Sequence, residues 1–403
     1  MKGVGMSRGT RRVLVLLGVS GLALAVAAGI AVGQGPNTSG LKKGTLKIGY
    51  GNNLSGFLAV HDHLISNGAK VAVAQINGKG GVGGKVKLRL NLKDVKSDTA
   101  ESVKVANEII AEKDQVMMLP CNTDFQVAMA AAAKRSGTFM LSPCNADPTL
   151  GSKFSHYWGV GMAGNAQGAQ LASYVKKLGK KRAFVVDAQA QLYVQTMAKY
   201  FKKAAPSRKI RIVGSTKVPV PGTDYSAAVT KIKNTTPKPD VIMTGIFNPF
   251  LGTLLKNLRA QGLKTPVVST DGAESAPILA LPAATTNGTA FTTFGYPTLG
   301  SATAKFYAQY KQRFGAKPDG SFAALGYEAV KVLEAAMLKA NSTDPAKIEA
   351  ALSKGMTVRG ALGPIKYLGH GRHNPSTIVV VDRIKSRHFV LALKSVPKNV
   401  PRP

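Results

Sequence analysis

Four short polar loops each follow an apolar run that predicts a buried strand. They are Asn122-Thr123-Asp124, Asn145-Ala146-Asp147, Phe247-Asn248-Pro249 and Thr270-Asp271-Gly272. Because loops at the carboxyl ends of parallel strands form the ligand crevice of an open α/β sheet, the four loops predict a binding site. Backbone N–H groups near helix N-termini suit a carboxylate, and Asp271 suits an ammonium group. Helix capping is the competing interpretation of each Asn or Asp, but four such loops favour a site.

Patterns for catalysis and metal binding are weak. The stretch His61-Asp62-His63 has helical spacing, which places its two imidazoles about 200° apart and makes chelation poor. His370 and His373 lack a clear third ligand. The glycine-rich stretch 77–84 follows a helix and precedes a strand, the reverse of a phosphate loop, so we predict a turn. We therefore expect no enzyme activity, no cofactor and no metal.

The N-terminal segment predicts export. Four basic residues between Lys2 and Arg12 precede an apolar run over 13–32, and small and polar residues follow. This pattern is typical of a secretory signal peptide cleaved near residues 31–34, which would leave a periplasmic or secreted protein. The run is also long enough to span a bilayer, so an uncleaved N-terminal anchor is the alternative.

The two cysteines, Cys121 and Cys144, each follow an apolar run and precede one of the Asn loops. In an exported protein an even number of cysteines suggests a disulfide. A bridge requires a Cα separation below about 7 Å, which neighbouring strand ends could provide. Two unbridged, buried side chains are the alternative.

The charge is extreme for a chain of 403 residues, with 54 Lys and Arg against 20 Asp and Glu and a formal charge of +34. The cations are spread along the chain, and the one compact cluster in the body lies at 176–182. We therefore expect no specific nucleic-acid partner. Attraction to an anionic membrane surface and adaptation to an acidic exterior both remain open.

The element pattern predicts an α/β protein. Strand and helix signals alternate at βαβ spacing twice along the chain, which favours two parallel sheets covered on both faces. Two consecutive helices, at 302–314 and 322–340, then a third at 344–354 and three further strands, make up the last quarter. A chain that returns to its first lobe needs several crossovers, which would act as a hinge.

Eight stretches carry a resemblance to a known family. They are IGYGNNLSG, VAVAQINGKGGVGGKVKLRLNLKD, NEII, LSPCNADPTL, GTDYSAAVTKIK, PDVIMTGIFNPFLGTLLKNLRAQGLKTPVVSTDG, FAALGYEAVKVLEAAM and GALGPIKY. In order and spacing, over residues 45 to about 395, they resemble the periplasmic leucine/isoleucine/valine-binding proteins, the type I receptors of ABC importers. No single stretch is diagnostic.

The resemblance implies two doubly wound parallel-sheet lobes joined by three hinge crossovers, with the ligand between them. We accordingly expect the following division of the chain: 1–34 signal peptide, 35–44 flexible linker, 45–163 plus 294–363 first lobe, 164–293 plus 364–395 second lobe, and 396–403 tail.

In the first lobe, the resemblance places ligand contacts on Asn122, Cys144, Ala146 and His61. Asn122 stands where a hydroxyl residue is usual, and His61 where an aromatic residue is usual. Ala146 replaces a Thr whose hydroxyl and N–H commonly hold the ligand carboxylate, so only the N–H remains. These departures put a branched-chain amino acid in doubt.

In the second lobe, the resemblance places an aromatic wall on Phe247, where Tyr is usual, and the carboxylate for the ligand amine on Asp271. Tyr193 and Tyr327 fall near the cleft. The implied function is an extracytoplasmic solute-binding protein that closes around an amino acid or amide-like ligand. It would act as a monomer and deliver the ligand to the membrane subunits of an ABC permease. A membrane-anchored sensor domain of the same fold and a polyanion-binding protein are the alternatives.

Overall fold

The structure is a computed structural model that describes residues 37–403. The predicted signal peptide lies outside the described residues. Within the described part of the chain, no helix combines the length and the hydropathy needed to cross a bilayer. Part of the predicted linker is packed, since Leu41 is buried in the core of the first sheet. We therefore propose that the first lobe begins near residue 41.

The first sheet has five parallel strands in the order β2-β1-β3-β4-β5. The strands are β1 Gly44–Asn52, β2 Val86–Asp94, β3 Val116–Met118, β4 Phe139–Ser142 and β5 Tyr157–Gly159. The helices between them are α1 Ala59–Gly78, α2 Thr99–Ala111, α3 Thr123–Ala133 and α4 Leu150–Lys153. The sequence of β3 is apolar throughout, and that of β4 is apolar up to Ser142, because both faces of the sheet are covered.

The second sheet begins with five parallel strands. They are β6 Arg182–Ala188, β7 Arg211–Val218, β8 Val241–Thr244, β9 Val267–Ser269 and β10 Thr289–Thr293. The helices are α5 Gly164–Lys177, α6 Leu192–Ala204, α7 Ser226–Asn234, α8 Phe250–Ala260, α9 Ala276–Ala280 and α10 Ala283–Thr286.

The chain then returns to the first lobe. It forms α11 Ala302–Phe314, α12 Phe322–Ala340, α13 Pro345–Ser353 and a hairpin of β11 Met356–Gly360 and β12 Gly363–Tyr367. Helix α12 lies directly on α1, backbone against backbone. A Cβ at Gly68 would lie 1.7 Å from the carbonyl oxygen of Ala323, and one at Gly326 would lie 1.8 Å from that of Ile65. Only glycine permits this approach at either position.

Strands β13 Val379–Lys385 and β14 His388–Ser395 close the second sheet in the order β14-β13-β10-β9-β8-β6-β7. Strand β13 runs antiparallel to β10. The fold is thus the predicted pair of α/β lobes with three crossovers, after β5, β10 and β12.

We propose that the third crossover lies later in the chain than residue 363, the boundary expected from the sequence. Strand β12 pairs with β11, and its Ile365 and Tyr367 are buried in the core of the first lobe. Val381 and Ile384 belong to the core of the second lobe. We propose a boundary near residue 380, between Val379 of the first-lobe core and Val381 of the second-lobe core, because core packing and not strand propensity assigns a short strand to a lobe.

Candidate functional site

A cavity lies at the carboxyl ends of the two parallel sheets. Nine residues from both lobes line it: Leu58, His61, Cys121, Asn122, Tyr193, Phe247, Asp271, Gly272 and Phe322. Its volume is about 20 Å³, enough for roughly one water molecule. The lobes are therefore closed on each other around the residues where the sequence predicted a ligand.

Asp271 begins a single 3₁₀ turn that follows β9. It is 2% exposed, and its Oδ1 accepts a hydrogen bond from the Tyr193 hydroxyl at 2.7 Å. Burial raises the pKa of Asp271 to about 6, although the hydrogen bonds from Tyr193 and Gln167 oppose this effect. Burial, reinforced by the Asp271 charge, raises the pKa of Tyr193 well above its ordinary value. Asp271 is thus an anion near neutral pH that is held by a neutral phenol.

Phe247 forms the aromatic wall of the second lobe. Its ring stacks on Phe57 of the first lobe with the centroids 6.0 Å apart, and it meets Phe250 edge-on at 5.6 Å. Gly272, which the sequence did not single out as a contact, permits this packing, because a Cβ there would lie 2.4 Å from the Phe247 Cβ. The aromatic wall therefore joins the two lobes as well as lining the cavity.

Asn122 lines the cavity from the first lobe and also caps α3. Its Oδ1 accepts a hydrogen bond from the Asp124 N–H at 2.8 Å, and its Nδ2 donates to Gln191 Oε1 of the second lobe at 3.3 Å. The backbone φ of Asn122 is +98°, a left-handed value that few residues adopt. Asn122 is therefore the cap of α3 and also lines the cavity.

The sulfurs of Cys121 and Cys144 are bonded, and the two Cα atoms lie 5.3 Å apart. Cys121 faces the cavity, whereas Cys144 is buried in the core of the first lobe. The disulfide ties the loop after β3 to the loop after β4. It therefore fixes the first-lobe wall of the cavity.

Ala146 and Tyr327 lie outside the cavity lining. The carbonyl of Ala146 accepts the Gly164 N–H at 2.7 Å, at the first crossover. The Tyr327 hydroxyl donates to Gln75 Oε1 at 3.1 Å, and its ring packs on Phe306. The aromatic side chain of α12 that lines the cavity is instead Phe322, at the first position of that helix. The sequence feature that could have identified this contact is an aromatic residue at the start of a helix in the segment that follows the second crossover.

His61 stands in the first turn of α1, 2% exposed, with its ring 4.7 Å from that of Phe322. Among the described residues, neither ring nitrogen has a hydrogen-bond partner of good geometry. Burial lowers the pKa of His61 to about 4, and the backbone groups of Gly272 and Glu274 only partly oppose this effect. The imidazole is therefore neutral at neutral pH and offers one donor and one acceptor.

Two further buried carboxylates adjoin the cavity-lining residues. Asp62 Oδ2 accepts the backbone N–H of Asn53 at 2.9 Å, and both carboxylate oxygens lie 3.3 Å from the Cys121 nitrogen. Burial raises the pKa of Asp62 to about 7. Local patterns in the sequence do not reveal this arrangement, because one of the donors, the Cys121 N–H, lies 59 residues away in the chain.

Glu274 is 3% exposed and connects the second lobe to the N-terminus of α12. Its Oε1 accepts the Ser321 N–H at 2.8 Å, and its Oε2 accepts the hydroxyls of Ser321 and Thr293 at 2.7 and 2.6 Å. Burial raises the pKa of Glu274 to about 7. Residues 37–403 contain no group of three His, Cys, Asp or Glu side chains that could hold a metal ion.

Comparisons with known proteins identify the family of the chain. Residues 45–387 match the family described as periplasmic binding protein. The chain is 26% identical over 318 residues to the Leu/Ile/Val-binding protein BraC3 of Rhizobium johnstonii, covering 78% of this chain and 85% of that protein.

Solved structures show the same fold. LivJ of Streptococcus pneumoniae, a branched-chain amino acid transporter substrate-binding protein solved with isoleucine, superposes with a TM-score of 0.78 at 25% identity, over 87% of this chain and 99% of LivJ. A solute-binding protein of an ABC transporter from R. palustris, solved with benzoate, gives 0.75 at 21% identity, over 88% and 97%. The chain belongs to the periplasmic binding protein family and is of the branched-chain amino acid ABC transporter type.

Proposed function

We propose that this protein is the extracytoplasmic solute-binding component of an ABC importer. It captures an amino acid or a related small polar ligand between its lobes and delivers it to the membrane subunits of a permease. One observation carries the proposal: Asp271 and Tyr193 of the second lobe meet His61 and Asn122 of the first lobe around one buried cavity.

Hinge closure supplies the capture step. Three crossovers join the lobes, so a rotation about them would open the cavity to solvent. On closing, Phe57 packs against Phe247, and the Asp124 carboxylate accepts the Leu192 N–H at 3.2 Å across the cleft. A ligand that contacts both lobes binds the closed state more tightly than the open state, and this difference in affinity stabilises the closed state.

The ligand contacts follow from the chemistry of the lining residues. Asp271 pairs with the ligand amine, and the aromatic rings of Phe247 and Phe322 cover its apolar part. Asn122 and the neutral His61 contact its polar end. Cys144 and Ala146 act indirectly. Cys144 fixes the loop that carries Cys121 through the disulfide, and Ala146 holds the start of the first crossover through its hydrogen bond to Gly164.

Isothermal titration of the chain from residue 35 onward tests this function. We expect at least one of the common amino acids or their amides to bind in the micromolar range or tighter, and small-angle scattering to report a more compact protein on binding. If no compound of the set binds and native mass spectrometry of protein from its host finds no trapped ligand, the solute-binding function is contradicted.

The export proposal has its own measurement. N-terminal sequencing of the protein purified from its host should find a mature chain that begins near residue 35. A chain that retains the apolar run would instead favour the membrane-anchored sensor.

A further inference from the structure

The two lobes differ in the charge of their surfaces. Residues 164–293 of the second lobe hold 18 Lys and Arg against five Asp and Glu, and three of those five acidic residues are buried. Residues 45–163 of the first lobe hold 13 Lys and Arg against nine Asp and Glu, of which two are buried. An adaptation of the whole surface to its surroundings would act on both lobes alike. The excess on the second lobe therefore points to a partner that this lobe meets.

The cations of the second lobe are concentrated at the amino ends of its parallel strands. The connections that lead into β6, β7, β8 and β9 lie at this end and include residues 176–182, 209–211, 231–240 and 264. These residues hold eleven Lys and Arg and one acidic residue, Asp240. We call this surface the basic pole. The cavity lies at the carboxyl ends of the same strands, and the seven residues of β6 separate the two by roughly 20 Å.

Helix stability does not account for the basic pole. A cation in the last turn of a helix stabilises it, because the helix C-terminus carries a partial negative charge. Helices α5, α6, α7 and α8 of the second lobe each have a basic residue in the last turn. Helices α1, α2 and α3 of the first lobe have none there and fold in the same architecture. The cations are thus not a requirement of the fold.

Ion pairing does not account for the basic pole either. Among residues 37–403, its one salt bridge joins Arg182 Nη2 to Asp240 Oδ2 at 3.6 Å. Arg182 of β6 and Arg211 of β7 are register partners, so two exposed cations begin neighbouring strands. Like charges placed side by side repel. The lobe therefore loses stability by collecting these charges, and an anionic partner would offset that loss.

Leu178 lies at the centre of the densest part of the pole. It is the cap residue that ends α5, and it is 41% exposed. The stretch 176–182 around it contains five Lys and Arg and no acidic residue. A single exposed leucine is common on protein surfaces. A leucine surrounded by lysines, however, matches a bilayer surface, where the charges meet headgroups and the apolar side chain enters the layer beneath them.

We propose that the basic pole docks on a bilayer surface that carries anionic lipids, with its cations on the headgroups and Leu178 below them. Nine of the eleven cations are Lys, a flexible point charge, and not Arg, whose planar fork suits specific phosphate recognition. The four segments of the pole contain no Phe, Tyr or Trp on which nucleic-acid bases could stack. Docking at this pole leaves the cavity at the opposite end of the sheet uncovered, so the inference does not rest on the proposed solute-binding function.

Vesicle co-sedimentation tests the docking. The chain from residue 35 onward is mixed with vesicles of phosphatidylcholine alone or of phosphatidylcholine with one third phosphatidylglycerol. We expect at least about tenfold tighter binding to the anionic vesicles at low salt, and release as the salt concentration rises, because salt screens the attraction. Equal binding to the two kinds of vesicle, or no binding to either, overturns the inference and leaves the solute-binding function intact.

A variant of the pole locates the contact. The triple variant Lys176→Gln/Lys180→Gln/Lys181→Gln removes three cations that form no salt bridge among the described residues. Its affinity for the anionic vesicles should fall at least about tenfold, because each cation near an anionic bilayer adds to the attraction.

The matched control removes the same charge from the first lobe. It is Lys113→Gln/Lys134→Gln/Lys305→Gln, whose three lysines are exposed and also form no salt bridge among the described residues. We expect the control to bind the anionic vesicles within about twofold of the parent, because its cations lie away from the contact. Equal losses in the two variants would show that net charge and not the pole attracts the vesicles, which overturns the inference.

Heparin separates a lipid surface from a soluble polyanion. The variant Leu178→Gln should weaken binding to the anionic vesicles at least about threefold and leave heparin binding unchanged, because heparin has no apolar layer to receive the side chain. A variant that keeps the vesicle affinity of the parent, or that loses affinity for vesicles and heparin equally, overturns the assignment of the pole to lipid.

Discussion

The polar loops of the two lobes occupy equivalent places after parallel strands, but they use their side chains differently. In the first lobe Asn145 Nδ2 donates to the Gly161 carbonyl at 3.1 Å, and Asp147 Oδ1 accepts the Thr149 N–H at 2.9 Å. In the second lobe Asp271 points its carboxylate toward the cavity, held by Tyr193. Asn145 and Asp147 are thus bonded to other groups of the first lobe, whereas the Asp271 carboxylate lines the cavity.

The first lobe contributes shape, and the second contributes the charge that faces the cavity. The disulfide and the Asn122 cap fix the first-lobe wall, whereas Asp271 and Phe247 present a charge and a ring from the second lobe. Changes in the second lobe should therefore reduce affinity directly. Changes in the first lobe should act through the stability of the protein and through its discrimination between ligands.

Removing the second-lobe charge should have the largest effect. In Asp271→Asn, affinity for an amine ligand should fall at least about 30-fold, because deleting one partner of a buried charge pair costs roughly 2–5 kcal/mol. Isothermal titration measures the loss. The exposed carboxylate variant Asp224→Asn in the same lobe is the control and should retain affinity. Equal losses in both variants would contradict the assignment.

Removing the first-lobe disulfide should act mainly on stability. The double variant Cys121→Ser/Cys144→Ser should lose roughly 2–4 kcal/mol of unfolding free energy, because the bond closes a loop in the unfolded chain. Urea unfolding measures this loss, and the parent protein with its disulfide reduced should behave like the variant. An unchanged unfolding midpoint would show that the bond does not constrain the loops.

The buried carboxylates predict that stability falls as the pH rises. Burial raises the pKa of Asp62, Glu274 and Glu328 to about 7 and that of Asp382 to about 8. At a pH between the unfolded pKa near 4 and the raised pKa of the folded state, the folded state binds more protons than the unfolded state. Raising the pH through this range therefore removes stability. Between about pH 6.5 and 8 the loss should be roughly 4 kcal/mol.

The pH effect can be separated from that of the histidine. The lowered pKa of His61 acts only below its unfolded value of about 6.5, outside this window. Thermal unfolding of the parent and of Asp382→Asn should show the melting temperature falling toward pH 8, and falling less in the variant. A melting temperature that rises over this range would contradict the assignment of the buried carboxylates.

The aromatic contact across the cleft should give the smallest effect. In Phe57→Ala, the stack on Phe247 is lost and the closed state is weakened by about 1–2 kcal/mol, which is roughly a tenfold loss of affinity, mostly through faster dissociation. The control is Phe314→Ala, an exposed aromatic residue at the end of α11. A dissociation rate that does not change would show that the ring pair does not hold the lobes together.

Several features of the structure could not be predicted from the sequence. Strand β5 has three residues, and no periodicity can be recognised over so short a stretch. Helix α13 begins at Pro345 with Asp344 as its cap, one residue after the predicted start at 344, because Pro345 fixes the first position of the helix. The role of Phe322 depends on α12 starting beside α1, which is a tertiary contact.

The sequence by itself determined the α/β alternation, the polar loops at strand ends, the position of Cys121 and Cys144 after two apolar runs, and Asp271 as a carboxylate at a strand end. These depend on local patterns that the chain repeats every few residues. Only the tertiary structure decided which polar groups satisfy one another and which face the cavity. Asp62, Glu274 and His61 receive their roles from residues far away in the chain, and hydrogen-bond satisfaction over such separations is not encoded in any local pattern.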